Sequence, residues 1–165
     1  MSTIQSLVAE FSNKAIPFPQ DAGTKQNLVN FFNGLASFRH MGYQVENVLG
    51  CITKVSIPEV REHHLGGRAE RAINGAVISG ILDCAMSVAS FQHHSDKVCG
   101  TVSLTVSILR PIYDDCLVAY GSVIKRSRSM LFGEAMILDK DGRLCADCKG
   151  IVAVASEALR SNSCY

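Results

Sequence analysis

The sequence predicts an α+β fold in which one long buried helix is wrapped by an antiparallel β-sheet. Residues 75–91 are apolar almost all round, which is the composition of a helix buried in a core. Four segments of strand-like sequence follow this helix, and the connections between them are short. The chain has 165 residues, a length that can bury a substantial core as one domain.

Composition argues against nucleic acid and membrane partners. The formal net charge is +1 and Trp is absent, whereas a nucleic-acid surface needs many basic side chains to neutralise phosphates. The apolar run at 75–91 is too short to span a bilayer and has Asp83 at its centre. The N-terminal sequence lacks the pattern of a secretory signal, so we expect a cytoplasmic protein.

The cysteines point to reduced thiols. There are seven of them, an odd count, and most lie in apolar runs, where cysteine acts as a small hydrophobic residue. Cys145 and Cys148 form a single CxxC pair, but residues three apart on a strand point to opposite faces. We therefore expect no metal site.

The N-terminal region is predicted to contain two helices. The first is indicated by apolar residues at i, i+3, i+4 and i+7, namely Ile4, Leu7, Val8 and Phe11. Thr24 is a plausible N-cap of the second, which Gly42 ends. One or two strands are expected over residues 43–57, followed by a polar loop over 58–73.

The second half of the chain is predicted to form four long strands. Apolar and polar residues alternate over 98–108, and further strands are indicated at 117–125, 130–138 and 144–155. The Asp141-Gly142 pair is typical of a tight hairpin between the last two. Four consecutive strands with short connections predict a meander, and one of its faces would cover the buried helix.

Asp83 is the first candidate functional residue, because a carboxylate in a buried helix is costly unless it is paired or used. Its neighbours on the helical surface are small, namely Ser79, Gly80, Ser87 and Ser90. Such a stripe lets another backbone or a thin ligand approach closely. Two interpretations stay open: a reactive carboxylate, or a structural one that is hydrogen-bonded across a subunit interface.

Asn74 and Gly75 at the start of the helix are further candidates. Unpaired N–H groups at a helix N-terminus carry partial positive charge and can stabilise an oxyanion on a thioester carbonyl. The alternative is that Asn74 serves only as the N-cap.

Three segments together resemble the PaaI-like hotdog thioesterases. Residues 74–86 resemble their His-Gly-Gly-x5-Leu-x-Asp signature, Ile108-Leu109-Arg110-Pro111 resembles their "flRP" strand, and 139–146 resembles their last hairpin. The resemblance covers about residues 42–155. It implies a hotdog domain at 41–158, preceded by a helical extension at 1–40 and followed by a flexible tail at 159–165.

The resemblance also implies roles for single residues. Asp83 falls on the catalytic carboxylate, which acts as general base or nucleophile, and Gly75 on the residue whose backbone amide polarises the thioester carbonyl. Thr101 falls on a hydroxyl residue that holds the attacking water, and Asn74 can donate a further hydrogen bond. The family implies a homodimer or homotetramer whose site lies between protomers, one giving the helix start and its mate the carboxylate.

Coenzyme A would be part of the substrate, with no separate cofactor, and its phosphates need cations. Five basic residues in loops or at strand ends are candidates: Arg68, Arg71, Lys125, Arg126 and Arg128. Of these, Arg68, Arg126 and Arg128 are the predicted ligands.

Two departures from the family pattern bear on activity. Asn74 replaces the usual His at the helix start, and Arg68 replaces an Asn. An Asn cannot shuttle protons near neutral pH. The pairs His63–His64 and His93–His94 could substitute for the missing histidine, and the second pair is expected to be exposed. Three functions therefore remain: an acyl-CoA thioesterase, a non-catalytic acyl-CoA-binding or sensor protein, and a hydratase or dehydratase.

Overall fold

The structure, a computed structural model, describes residues 3–66, 71–94 and 96–158. Four α-helices lie at Thr3–Ser12 (α1), Ala22–Gly34 (α2), Ala36–His40 (α3) and Gly75–Phe91 (α4). Six strands lie at Gln44–Val48 (β1), Ile52–Ile57 (β2), Lys97–Ile108 (β3), Leu117–Arg126 (β4), Met130–Leu138 (β5) and Leu144–Ala158 (β6). A short 3-10 turn spans Glu62–His64. The proposed tail, 159–165, lies outside the described residues.

The N-terminal region holds three helices where the sequence predicted two. Asp21, and not Thr24, is the N-cap of α2, and its carboxylate accepts a hydrogen bond from the Thr24 backbone amide at 3.0 Å. The predicted second helix is interrupted at Leu35, whose backbone is extended. Gly42 ends α3 instead, with a positive φ of 67°.

The six strands form one antiparallel sheet in the order β1-β2-β4-β5-β6-β3. The predicted meander of four strands is wrong for its first member, because β3 pairs with β6 and not with β4. The eight residues between β3 and β4 contain Pro111 and are too long for a tight hairpin. They carry the chain from one edge of the sheet to its middle, beside β2. The predicted hairpin between β5 and β6 is present, with Gly142 at a φ of 79°.

Helix α4 packs on the concave face of this sheet, and its core side chains are almost fully buried. The closest approach is at Gly121 on β4. A Cβ atom at this position would lie 2.2 Å from the backbone oxygen of Ala85. The helix therefore rests on the strand backbone itself, which only glycine permits.

Helix α1 covers the opposite, convex face of the sheet. Its Val8 packs with Met136 and Leu138 of β5 in a small second cluster, to which Ile4, Leu7, Phe11 and Tyr120 add contacts. The four apolar residues that predicted α1 are thus the residues that bind it to the sheet.

Strand β3 contains a bulge at Val102. Thr101 pairs with Val152, but the next pair joins Ser103 to Ile151, so Val102 has no partner on β6. A bulge of this kind changes which residues face the core. Thr101 therefore faces α4, as Leu104 does further along. The simple alternation expected from the sequence would have put these two residues on opposite faces.

Within the described residues, no helix is long and apolar enough to cross a membrane. The same part of the chain contains no cluster of His, Cys, Asp or Glu that could hold a metal ion.

Candidate active site

One face of α4 is not covered by the sheet. Residues 79, 80, 83, 84 and 87 lie along it and are only partly buried. This is the predicted stripe of small side chains around Asp83 without Ser90, which is fully buried and donates a hydrogen bond to the Met86 carbonyl. Asp83 is half-buried, at the middle of the stripe, so the expectation of a fully buried carboxylate is corrected.

Two hydroxyl groups surround the Asp83 carboxylate. Thr101 donates a hydrogen bond to Asp83 Oδ1 at 2.7 Å, and the Ser87 hydroxyl lies 3.4 Å from the same oxygen. The hydroxyls of Ser87 and Thr101 are also 2.8 Å apart. The bulge at Val102 makes this arrangement possible, because it turns Thr101 toward the helix. Three polar side chains from α4 and β3 thus converge on one partly open point.

Asn74 is the N-cap of α4, and its Oδ1 accepts a hydrogen bond from the Ala76 amide at 2.8 Å. Its backbone amide donates to the carbonyl of His64. The side-chain nitrogen lies close to Gly66, where a Cβ atom would be 2.5 Å away. The capping interpretation of Asn74 is therefore correct for its side-chain oxygen, and only the Nδ2 donor remains for a substrate.

An open pocket lies at the start of α4. Its volume is about 340 Å³ and its lining is mostly apolar, with residues 72, 73, 75, 78 and 108–111. Ile108 and Leu109 are about half exposed, at 48% and 55%. Gly75, the first residue of α4, forms part of the wall, and Arg110 is the one cation among these residues.

The two halves of the predicted site are separate within one chain. Gly75 and Asp83 are eight residues apart on the same helix, which corresponds to about 12 Å along its axis. A thioester carbonyl cannot contact the Gly75 amide and the Asp83 carboxylate of one chain together. The structure thus brings Asp83 and Thr101 together but leaves Asn74 and Gly75 at a distance.

The histidines near the helix start do not replace the missing family histidine. His64 is buried, with Nδ1 accepting from the Arg61 amide at 2.9 Å and Nε2 lying 3.0 Å from the Met41 carbonyl. Both ring nitrogens are therefore occupied by the backbone. Its neighbour His63 stacks on His40 at the surface.

The histidines after α4 are buried, contrary to the expectation of an exposed pair. His93 and His94 are 3% and 7% exposed. Burial, the charge of Arg126 and the neighbouring His94 lower the pKa of His93 from 6.5 to about 4. Phe18 packs edge-on against the His93 ring. This pair lies at the opposite end of α4 from Gly75.

The predicted phosphate ligands divide into two groups. Arg126 ends β4 and Arg128 lies in the turn that follows, and both are exposed. Among the described contacts, none joins them to Asp83. Arg68 lies outside the described residues. Lys125, from the wider set of candidates, sits over the Phe132 ring at 5.7 Å.

One residue beside the stripe was not predicted from the sequence. Tyr43, just before β1, is 7% exposed, and its hydroxyl is 3.2 Å from the point where a Cβ atom at Gly80 would lie. Nothing in the local pattern places residue 43 near residue 80, since the contact depends on how β1 closes over α4.

The segment that contains these residues matches a known family. Residues 71–146 match the family described as the Thioesterase superfamily. This match spans 76 of the 165 residues. The matched segment contains both halves of the candidate site, from the helix start through Asp83 and Thr101.

Similar solved structures show that the chain has the hotdog fold. A thioesterase from Haemophilus influenzae has a TM-score of 0.73 at 15% identity, over 89% of this chain and 99% of that one. The PaaI protein of the E. coli phenylacetic acid degradation operon has a TM-score of 0.71 at 16% identity, over 82% and 95%. A thioesterase family protein from Silicibacter pomeroyi has a TM-score of 0.70 at 19% identity, over 79% and 97%.

These likenesses confirm the predicted fold, a long central helix wrapped by an antiparallel sheet with extra N-terminal helices. They also confirm the resemblance to the hotdog thioesterases that the sequence predicted. A search of curated proteins finds no match to this chain.

Proposed function

We propose that the protein is an acyl-CoA thioesterase in which Asp83 acts as general base or nucleophile. One observation carries the proposal: a thioesterase-superfamily domain holds a carboxylate on the open face of its central helix, with two hydroxyls directed at it. A carboxylate that served only to stabilise the fold would gain more from a cation than from Thr101 and Ser87, and no described salt bridge includes it.

The hydroxyls fix the geometry of the reaction. Thr101 holds one carboxylate oxygen, Oδ1, so the second oxygen can face the substrate. From there it can take a proton from water that attacks the thioester carbon, or attack that carbon itself. In the first case hydroxide adds to the carbon, the C–S bond breaks, and coenzyme A leaves as the thiol after protonation. In the second, Asp83 forms an acyl anhydride as the C–S bond breaks and coenzyme A leaves as the thiolate, which is then protonated. Water then hydrolyses the anhydride to the free acid and restores the Asp83 carboxylate.

The Gly75 amide supplies the oxyanion donor. As the first residue of α4, Gly75 has a backbone N–H without an acceptor within the helix, and the helix dipole adds partial positive charge there. Because this amide and Asp83 are about 12 Å apart in one chain, we propose that the complete site combines Gly75 of one protomer with Asp83 of another.

Strand β3 is the surface proposed for this assembly. It is an edge strand of 12 residues that pairs with β6 on one side only. Its exposed apolar residues include Val98 and Val102, at 46% and 62% exposure. A long edge strand with apolar side chains is normally covered. Pairing of two β3 strands would cover it and bring the open faces of two α4 helices close together.

The coenzyme A phosphates are proposed to contact Arg126 and Arg128, together with Arg68. The first two lie in the exposed connection between β4 and β5, which leaves their guanidinium groups free for bidentate contacts with phosphate. Arg68, seven residues before α4 in the sequence, lies outside the described residues.

The first experiment is a free-thiol release assay with short, medium, long and aromatic acyl-CoAs. Asp83→Asn keeps the side-chain shape and the hydrogen bond from Thr101 but removes the base. We expect turnover to fall to background in this variant while circular dichroism and acyl-CoA binding are unchanged. Full turnover in Asp83→Asn would refute the assignment of the carboxylate.

Gly75 offers an equally specific test. Gly75→Pro removes the amide hydrogen, and proline is well tolerated at the first position of a helix. Asn74 already has the extended backbone that a residue before proline requires. Loss of one oxyanion donor costs about 10²–10³-fold in kcat. Gly75→Ala keeps the amide and is the matched control, and equal rates for the two variants would contradict the role.

A mixing experiment tests the shared site. Asp83→Asn and Gly75→Pro subunits, each inactive alone, should recover activity when co-expressed, because one of the two sites in a mixed dimer then has both groups intact. Persistent inactivity in verified mixed dimers would show that the site does not combine residues in this way.

Asn74 supports a second candidate, a non-catalytic acyl-CoA-binding protein. Its side-chain oxygen is used by the helix cap, and it cannot shuttle protons near neutral pH. Measurable acyl-CoA binding by calorimetry, with no thiol release from any substrate, would favour this function over hydrolysis.

A further inference from the structure

The Tyr43 hydroxyl lies against the open stripe of α4. It would be 3.2 Å from a Cβ atom at Gly80, so the glycine leaves room for it. The ring is fixed in place: it packs edge-on against Phe38 at 5.5 Å between centroids, and its backbone amide donates to the Phe38 carbonyl at 2.8 Å. Tyr43 is thus more than nine-tenths buried, with its polar end at the stripe.

This hydroxyl has no hydrogen-bond partner among the described side chains and backbone groups. A buried tyrosine usually finds one. Burial, and then the charges of Cys84 and Asp83, raise the pKa of Tyr43, so the phenol stays protonated near neutral pH. Within the described residues, it is thus a hydrogen-bond donor and acceptor without a protein partner, on the same stripe of α4 as the candidate catalytic carboxylate.

The position of the Tyr43 hydroxyl along α4 indicates which part of a bound acyl group it can contact. Gly80 precedes Asp83 by three residues, or about 4.5 Å along the axis. Thr101 of β3 contacts Asp83, and Tyr43, just before β1, lies against Gly80. Because β3 and β1 are the two opposite edges of the sheet, a chain lying along the stripe would pass between the two hydroxyls. With bonds of about 1.5 Å, an oxygen three to four bonds from the thioester carbon comes level with Tyr43. Such an oxygen is attached to the third or fourth carbon of the acyl group.

We propose that Tyr43 is a specificity-determining residue that hydrogen-bonds an oxygen at the third or fourth carbon of the acyl group. The proposal rests on the proposed thioesterase function. It predicts that 3-hydroxyacyl-CoAs, or acyl groups with an oxygen one carbon further along, are preferred over plain acyl-CoAs of the same length. A site that provides a buried polar group disfavours analogues that leave it unpaired.

The test compares kcat/KM for pairs of substrates matched in length, such as 3-hydroxybutyryl-CoA with butyryl-CoA and 3-hydroxyoctanoyl-CoA with octanoyl-CoA. Tyr43→Phe keeps the ring and its packing. Loss of one neutral hydrogen bond should reduce the ratio of hydroxylated to plain substrate by about 2- to 10-fold. Gly80→Ala, whose Cβ atom displaces the hydroxyl, should lower the ratio in the same direction. An unchanged ratio in Tyr43→Phe would overturn the proposal.

Tyr120→Phe is the matched control, because Tyr120 lies beneath α1 on the other face of the sheet. Its ratio should equal that of the wild type. If the wild type releases no thiol, the proposed function fails independently, and calorimetry with thioether analogues of the same pairs tests Tyr43 alone. A 2- to 10-fold loss of preference in Kd on Tyr43→Phe then supports the inference, and equal affinities refute it.

Discussion

Thr101→Val is the substitution that most directly tests the hydroxyl cluster around Asp83. Valine has nearly the same shape, so the side chain still fits between α4 and β3, but its methyl group cannot donate to Oδ1. The lost contact is a 2.7 Å hydrogen bond to a carboxylate, a class worth about 1.5–3 kcal/mol. Ser87 replaces it only in part, since its hydroxyl is 3.4 Å from the same oxygen.

If the hydrogen bond orients Asp83 in the transition state, this energy corresponds to a decrease of about 10- to 150-fold in kcat at 1.36 kcal/mol per tenfold. Thr101→Ser keeps the hydroxyl and should retain most of the rate. Because Ser87 and Thr101 are in contact, Ser87→Ala combined with Thr101→Val should give a non-additive loss. Steady-state thiol release is measured for the wild type, both single variants, the double variant and Thr101→Ser, and a wild-type kcat in Thr101→Val would refute the reasoning.

Two further predictions concern stability. Gly121→Ala places a Cβ atom 2.2 Å from the Ala85 backbone oxygen and should lower the free energy of unfolding in urea by about 3 kcal/mol. Gly34→Ala is the control, because no atom lies within 4 Å of its new Cβ. Equal stabilities of the two variants would contradict the close approach. The pKa of His93 falls from 6.5 to about 4 on folding, so the unfolded chain binds the proton more readily. The free energy of unfolding therefore decreases as the pH falls from 6.5 to about 4, by up to about 3 kcal/mol. Unfolding measured from pH 7 to 4 should show a shallower decline in His93→Gln than in the wild type, whereas exchange of the exposed His40 for Gln should leave the slope unchanged.

The parts of the fold that could be predicted from sequence are those with strong periodicity. The bounds of α4 follow from the N-cap Asn74 and the apolar run that ends at Phe91, and the three strands after residue 116 follow from their length and turn residues. The order of the strands could not be predicted, because alternation indicates which face of β3 is apolar but not which strand it pairs with. The break at Leu35 does have a signal, because Gly34 is the last residue of α2 and glycine often ends a helix, but the prediction placed the end of the helix at Gly42.

The candidate site also contains residues that could be predicted from the sequence and contacts that could not. Asp83 stood out because a carboxylate in an apolar helix is unusual, and Thr101 was assigned by resemblance to a family. The bulge that turns Thr101 toward Asp83 leaves no mark in the sequence, as Val102 fits a regular strand equally well. Tyr43 was missed because its neighbour at Gly80 is distant along the chain.

The contact between Gly121 and Ala85 affects how far the position of Asp83 can change as core residues are substituted during evolution. Elsewhere in the core, side chains separate the helix from the sheet, and exchanging one aliphatic residue for another shifts the elements by fractions of an ångström. At this point one backbone rests on another, two residues beyond Asp83. The backbone contact therefore fixes the distance between β4 and the part of α4 that carries Asp83. Substitutions in the surrounding core can accumulate without moving the carboxylate relative to β4.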